Sequence, residues 1–267
     1  MYSRSKLIEE ITKKKSFLCV GLDTDITKIP KHLLSEPDPV FAFNKAIIDA
    51  TSPLCVAYKI NTAFFEADGA KGWESMQKTF DYIPKDCLSI ADAKRGDIGN
   101  TSHQYAKAFF ETLNADSITL APYMGNDSIA PFFKYPGKWG IVLALTSNPG
   151  SADYEQQKIG DKFLFELVLE NTCEIGSEEN LMFVVGATKP QEFNIIRKHA
   201  PNHFLLVPGV GAQGGSLSDV VKYGRIKDIG LLINASRSII YASTGYDFAD
   251  FAALEARKIQ EEMATYL

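Results

Sequence analysis

The stretch CLSIADAKRGDIGNTSHQYAKAFFETL, residues 87–113, decides the fold. It opens as an apolar run, turns at Gly96, and from Asp97 leads into NTSHQYAKAFFETL, which reads as a helix. That is one strand–turn–helix unit. If the strand runs from Cys87 to Lys94, Asp92 and Lys94 stand two apart and point to one face, while Ala91 and Ala93 point to the other. Asp92, Lys94, Arg95 and Asp97 taken alone would read as a solvated charge run. At the carboxyl end of a strand, the same residues face a site.

Seven further apolar runs repeat the pattern. SFLCVGLD (16–23), VAYKIN (56–61), SITLAP (117–122) and GIVLALTS (140–147) are followed by LMFVVGAT (181–188), FLLVPGV (204–210) and LLINAS (231–236). Between them lie amphipathic stretches such as PVFAFNKAIIDAT, FLFELVLENTCEI and PQEFNIIRKHA. Near-continuous apolar strands alternating with helices imply a parallel sheet covered by helices. Eight units with no repeat of halves favour a closed (β/α)8 barrel over an open doubly wound sheet. The expectation is one domain spanning residues 1–267, with an additional amino-terminal helix in MYSRSKLIEEITKKK. Barrels of this kind commonly reach about 250 residues as one domain.

Composition narrows the function. A chain of 267 residues with 45% hydrophobic and 23% charged residues can bury a large core. Its net charge of −5 argues against a nucleic-acid partner, which would want a basic face, but leaves room for one small anion held locally. Cys19, Cys55, Cys87 and Cys173 form no C-x-x-C pair and read as reduced core thiols. His32, His103, His199 and His203 have no metal-ligand spacing, so no metal site is expected. The amino terminus is charged and amphipathic rather than a signal peptide, and no apolar stretch is long enough to span a bilayer. A cytoplasmic protein without a membrane partner is expected.

In a barrel, function sits at the carboxyl ends of the strands. Those ends carry Asp23, then Lys59 with Asn61, then Asp92 with Lys94. Lys59 lies inside an apolar run, where a buried lysine needs carboxylate partners. With Asp23, Asp92, Lys94 and Asp97 it would build an alternating network in which each ammonium stays protonated. A structural ion-pair network is the plainer reading, yet buried networks add little stability and ask for a functional reason.

VPGVGAQGG (207–215) formally matches G-x-G-x-x-G through Gly209, Gly211 and Gly214. A dinucleotide fingerprint belongs on a first strand with an acidic residue ending the next, and here the next strand ends in Ser236. A glycine-rich loop after strand seven and NASRS after strand eight fit instead the phosphate site common in barrels, where backbone N–H groups and an arginine hold a dianion. Arg237 supplies the planar fork, and Gln213 can reach both a phosphate and a neighbouring ring. LTSNPG (145–150) leaves strand five through Ser147 and a Pro-Gly turn, which can read an amide edge but is also ordinary loop chemistry.

Taken together these residues resemble the orotidine 5′-phosphate decarboxylase family, in its longer bacterial branch. DAKRGDIGNT matches the family's D-x-K-x-x-D signature, and GLD, YKINTAFFE, TSNPG, PGVGAQGG and NASRSI follow the expected order across residues 21–240. The resemblance implies a (β/α)8 barrel, usually a homodimer with shared sites, that converts orotidine 5′-monophosphate to UMP without metal or organic cofactor. It implies Lys59, Asp92, Lys94 and Asp97 as a charged catalytic tetrad, Asp23 on the ribose and Ser147 on the pyrimidine. Gln213 and Arg237 would meet the phosphate, Pro208 and Ser236 would be further substrate-binding residues, and Thr101 with Asp97 would come from the neighbouring subunit. The segment from Ser151 to Asn180 is longer than in compact members and bears on lid shape and dimer details. Two other readings remain open: a Mg²⁺-dependent sugar-phosphate decarboxylase or aldolase of the same superfamily, and a non-catalytic nucleotide-binding barrel. The first would need a carboxylate ligand on strand two, where this chain has Lys59.

Overall fold

Runs of branched and large apolar residues form eight parallel strands in the computed structural model, which describes residues 2–210 and 214–267. They are β1 (Leu18–Gly21), β2 (Ala57–Asn61), β3 (Leu88–Arg95), β4 (Ser117–Leu120), β5 (Trp139–Leu145), β6 (Leu181–Val185), β7 (Phe204–Pro208) and β8 (Leu231–Ala235). Each pairs in parallel with its neighbours, and β8 returns to β1 with Leu18 opposite Ile233, which closes the (β/α)8 barrel. Closure leaves the main sheet without an edge. Strand side chains are buried almost without exception, as befits strands covered on both faces.

The outer helices form where capping and pattern agree. Helix Pro39–Thr51 starts at Asp38, whose carboxylate accepts from the Phe41 N–H at 3.1 Å, and Pro39 takes the first helical position. Its Val40, Phe43, Ile47 and Ile48 face inward at helical spacing, and Phe43 stacks on Phe248 of the last helix, Phe248–Ala264.

The amino-terminal helix, Arg4–Lys14, lies across the floor of the barrel. Tyr2 Oη donates to the Asp86 carbonyl ahead of β3, and Trp139 Nε1 at the start of β5 donates to the Tyr2 carbonyl at 2.7 Å. Arg4 sits over the Phe204 ring at the start of β7, and Lys14 Nζ donates to the Ser52 and Cys55 carbonyls ahead of β2, both at 3.0 Å. Leu7 and Ile11 are buried beneath it. The functional end of the barrel is the opposite one.

Two elements differ from the simple alternation expected of them. β3 runs on to Arg95, but its pairing with β4 slips between Ala91 and Arg95, and Lys94 takes a left-handed backbone conformation with φ of 50°. The helix after it begins at Gly99, one residue ahead of the segment NTSHQYAKAFFETL expected to be helical, but it ends in a π-helical turn over Ala108–Thr112. The longer segment after β5 is a 3-10 turn (Pro149–Ala152), a two-stranded ladder pairing Lys158–Ile159 with Lys162–Phe163, and helix Leu164–Cys173. All four cysteines are free, and burial pushes the Cys19 thiol up to about 12 and Cys173 to about 11. Among the described residues, no helix is long and apolar enough to cross a membrane.

Candidate active site

At the carboxyl ends of the strands a cavity of about 310 Å³ opens. Eight of the eleven residues singled out from the sequence line it: Asp23, Lys59, Asp92, Lys94, Ser147, Pro208, Ser236 and Arg237. Asp97 and Thr101 do not line it. Gln213, with Gly211, lies outside the described residues.

Lys59 is the centre of the charged half. It points inward from β2, its side chain only 7% exposed, and donates to Asp92 Oδ2 at 2.9 Å and to Asp23 Oδ1 at 3.2 Å. Burial works against its charge, but the Asp92 and Asp23 carboxylates outweigh burial and hold the ammonium well above the usual lysine value. Lys94 Nζ donates to the other Asp92 oxygen, Oδ1, at 2.7 Å. Burial would raise Asp92, yet Lys59 and Lys94 together push it down to about 2. One carboxylate thus bridges two ammonium groups, one buried and one half-exposed toward the cavity.

Two supporting residues were not apparent from the sequence. Thr119 Oγ1 donates to Asp92 Oδ1 at 3.0 Å and accepts from the Lys94 N–H at 2.9 Å. That second bond satisfies the amide freed where β3 slips its register, and so carries the left-handed turn at Lys94. A hydroxyl within the buried run SITL was the available signal. Tyr241 Oη donates to the Asp23 carbonyl at 3.0 Å and accepts from the Asp25 N–H at 2.7 Å, fixing the chain on which Asp23 sits. Nothing in the local pattern marks Tyr241, because the contact joins residues more than two hundred positions apart.

The opposite wall is built from the loops after β7 and β8. Pro208, Gly209 and Val210 line the cavity beside Ser236, Arg237 and Ser238. Gly209 has φ of 96°, a turn that a side chain would strain. Arg237 is exposed and has no carboxylate partner among the described residues. Gly21 lets this wall approach β1, since a Cβ there would fall 1.9 Å from Ser236 Oγ.

Between the two halves, Thr146, Ser147 and Asn148 form the edge after β5. Ser147 is pressed against β6: a Cβ on Gly186 would come within 2.7 Å of the Ser147 Cβ and backbone nitrogen. The cavity therefore combines a carboxylate–ammonium cluster, an arginine-bearing wall and a polar edge between them. Among the described residues there is no group of three or more His, Cys, Asp or Glu side chains able to hold a metal ion.

Fold and cavity define a (β/α)8 barrel that carries a buried carboxylate–ammonium cluster at the carboxyl ends of its strands, with an exposed arginine lining the same cavity. The chain belongs to the orotidine 5′-phosphate decarboxylase / HUMPS family, whose model matches residues 16–245. It is 58% identical to orotidine 5′-phosphate decarboxylase of Phocaeicola vulgatus, covering 98% of this chain and 97% of the relative. It is 60% identical to the Flavobacterium johnsoniae protein of the same name, covering 97% and 96%. Among solved structures, Leishmania donovani OMP decarboxylase superposes with a TM-score of 0.80 at 36% identity, covering 96% of this chain and 98% of that one. Leishmania donovani UMP synthase matches with a TM-score of 0.81 at 39% identity; the match covers 96% of this chain and 56% of that longer chain.

Proposed function

We propose that this chain decarboxylates orotidine 5′-monophosphate to UMP and CO2, the closing reaction of de novo pyrimidine synthesis, with no metal and no organic cofactor. The observation that carries the reading is the Lys59–Asp92–Lys94 cluster, in which Asp92 bridges a buried and a cavity-facing ammonium.

Breaking the bond between C6 and the carboxylate leaves the electron pair on C6, in the ring plane, where no π system delocalises it. Stabilisation must then come from charge already in place. Lys94 supplies it: its ammonium faces the developing carbanion, then gives a proton to C6 and is left as a neutral amine that solvent reprotonates. Asp92 orients Lys94 through the 2.7 Å hydrogen bond and presents its negative charge to the departing carboxylate. Lys59 holds Asp92 and Asp23 together, and Asp23 takes the ribose hydroxyls. Ser147 reads the pyrimidine edge, while Arg237, Ser236, the Pro208 loop and Gln213 take the phosphate. Gripping that remote dianion provides binding energy that is realised at the reacting carbon.

Asp97 and Thr101, which do not line their own chain's cavity, fit the reading that they complete the site of a second copy. The proposed unit is therefore a homodimer of single-domain chains in the cytoplasm. The Mg²⁺-dependent alternative meets an obstacle in Lys59: both nearby carboxylates already hold its ammonium, and a cation there would be repelled.

The deciding experiment follows the ultraviolet absorbance of orotidine 5′-monophosphate on adding the protein, before and after exhaustive EDTA treatment. Loss of the absorbance at an equal rate in both is expected. Ligand binding without turnover would leave a nucleotide-binding barrel, and activity lost to EDTA and restored by Mg²⁺ would move the assignment to the metal-dependent relatives.

A further inference from the structure

The edge formed by Thr146, Ser147 and Asn148 is gripped from behind by a residue outside the cavity. Glu155 Oε2 accepts from the Thr146 N–H at 2.7 Å, and its two oxygens lie 2.9 and 3.0 Å from Thr146 Oγ1. Thr146 Oγ1 also lies 2.7 Å from Asn148 Oδ1, so its single hydroxyl proton serves either that amide oxygen or the Glu155 carboxylate, while the Thr146 N–H stays with Glu155. Glu155 itself is on the wall of a second cavity, of about 810 Å³, on the far side of that turn.

Glu155 is not a loose surface acid. The Phe165 N–H donates to its carbonyl at 3.0 Å, and the Leu164 N–H donates to the Gln157 carbonyl at 2.8 Å, which pins the segment to the start of helix Leu164–Cys173. Next to it, Gln156 Nε2 donates to Ser151 Oγ at 2.6 Å, and Lys189 from the loop after β6 donates to Gln156 Oε1. On the other side of the turn, Gly186 leaves no room for Ser147 to retreat, since even a methyl group there would collide with it. The turn is held between a bare glycine on β6's carboxyl end and a carboxylate anchored by the long segment. Two hydrogen bonds to a charged acceptor hold a three-residue edge far better than two neutral ones would.

We infer that Glu155 is a positioning residue that sets recognition of the pyrimidine by holding the Thr146–Asn148 edge, without touching the substrate. The inference rests on the proposed function. It gives the long Ser151–Asn180 segment a specific role, in which its first part braces the edge that reads the base.

The test compares UMP and ribose 5-phosphate as competitive ligands of the wild-type protein and of Glu155→Ala, Glu155→Gln, Glu155→Asp and Ser147→Ala. Wild-type turnover of orotidine 5′-monophosphate is measured first; its absence would sink the function itself and is read separately. In Glu155→Ala, the inhibition constant of UMP and the KM of the substrate should rise about tenfold, the worth of one charge-assisted hydrogen bond, with ribose 5-phosphate changed less than about twofold. Glu155→Gln should restore UMP binding to within about threefold, because its amide oxygen still accepts from the Thr146 N–H and its amide nitrogen can donate to Oγ1. Glu155→Asp, too short to span both groups, should show the same selective loss on a smaller scale, and it decides the matter if the alanine variant does not fold. Equal weakening of UMP and ribose 5-phosphate would mean general loosening and would overturn the inference. So would a glutamine variant as damaged as the alanine one, or UMP affinity unchanged in both Glu155→Asp and Ser147→Ala.

Discussion

A lysine buried to 7% side-chain exposure can stay charged only if its surroundings are more negative than water is polar, and Lys59 meets that condition through Asp23 and Asp92. The consequence for pH is specific. Asp92 has its pKa pushed down to about 2, so its native interactions are fully present above its ordinary value near 3.8 and fade only as pH falls through about 2. Lys59 is held above its ordinary value, so it keeps its proton through the neutral and mildly alkaline range. Neither group should shape the acid limb of kcat/KM; that limb should follow the second ionisation of the substrate's phosphate, near pH 6. A limb with an apparent pKa between about 3 and 5 would instead report an unpaired Asp92 and contradict the bridge. Arg237 makes a second residue-scale prediction, because it reaches the cavity with no carboxylate partner among the described residues. Arg237→Ala should raise the KM for the nucleotide by roughly ten- to a hundredfold, the loss of a charged hydrogen-bond partner, yet leave the poor turnover of the phosphate-free nucleoside nearly unchanged. Equal losses with both substrates would remove Arg237 from the phosphate.

At the scale of elements, alternation was legible because a strand covered on both faces must be apolar along its length, and LMFVV or LLINA can hardly be anything else. Polar residues ending such runs therefore marked the site: Asp23, Lys59, Asp92, Lys94 and Ser147 all reach the cavity. What pattern could not reveal was how β3 ends. A pleat of period two would place Lys94 beside Asp92 by alternation, whereas the chain achieves it through a register slip and a left-handed lysine supported by Thr119. A left-handed non-glycine residue costs roughly 1 kcal/mol, and it persists because a hydroxyl from the next strand meets the freed amide. Tyr241 and Glu155 carry no mark in the sequence for a related reason, since each acts on a residue that only the folded chain brings near. The amino-terminal helix could be read as a helix but not as a floor. Its position separates stability from chemistry: Leu7 is fully buried at the end of the barrel away from the cavity. Leu7→Ala should lower unfolding free energy by about 3 kcal/mol, seen as an earlier denaturant midpoint, with KM and kcat unaltered below the transition. A changed KM would show that the floor is coupled to the site. The floor also holds His203, whose imidazole burial pushes down to about 4. Below its ordinary value near 6.5 the unfolded chain takes up a proton that the folded chain refuses, so stability should fall as pH drops from about 6.5 toward 4.

At the scale of the whole molecule, the placement of Asp97 outside its own cavity makes the proposed homodimer testable. Its backbone N–H donates to the Ser128 carbonyl at 3.3 Å and its carboxylate caps the Ile98 N–H at 2.7 Å, which holds it beyond the wall of its own cavity although only Arg95 and Gly96 separate it from Lys94. If a homodimer shares its sites, every site of a Lys94→Ala dimer or of an Asp97→Ala dimer lacks one charged group, and both proteins should be nearly inactive. Mixing them gives a different outcome. In a hybrid of the two, one site combines both lesions, while the other takes its lysine from the Asp97→Ala chain and its aspartate from the Lys94→Ala chain and is wild type. Random one-to-one reassembly makes half of the dimers hybrid, so about a quarter of all sites should recover under the closed two-fold geometry of such an interface. If Asp97 serves its own chain, each hybrid site keeps one lesion and no activity returns. Subunit exchange is verified by a mass tag on one variant, and activity is then measured per site against the wild-type protein. Absence of recovery after complete exchange would put Asp97 in its own chain's site, and recovery near one quarter would require a dimer in which each barrel borrows an acid from the other.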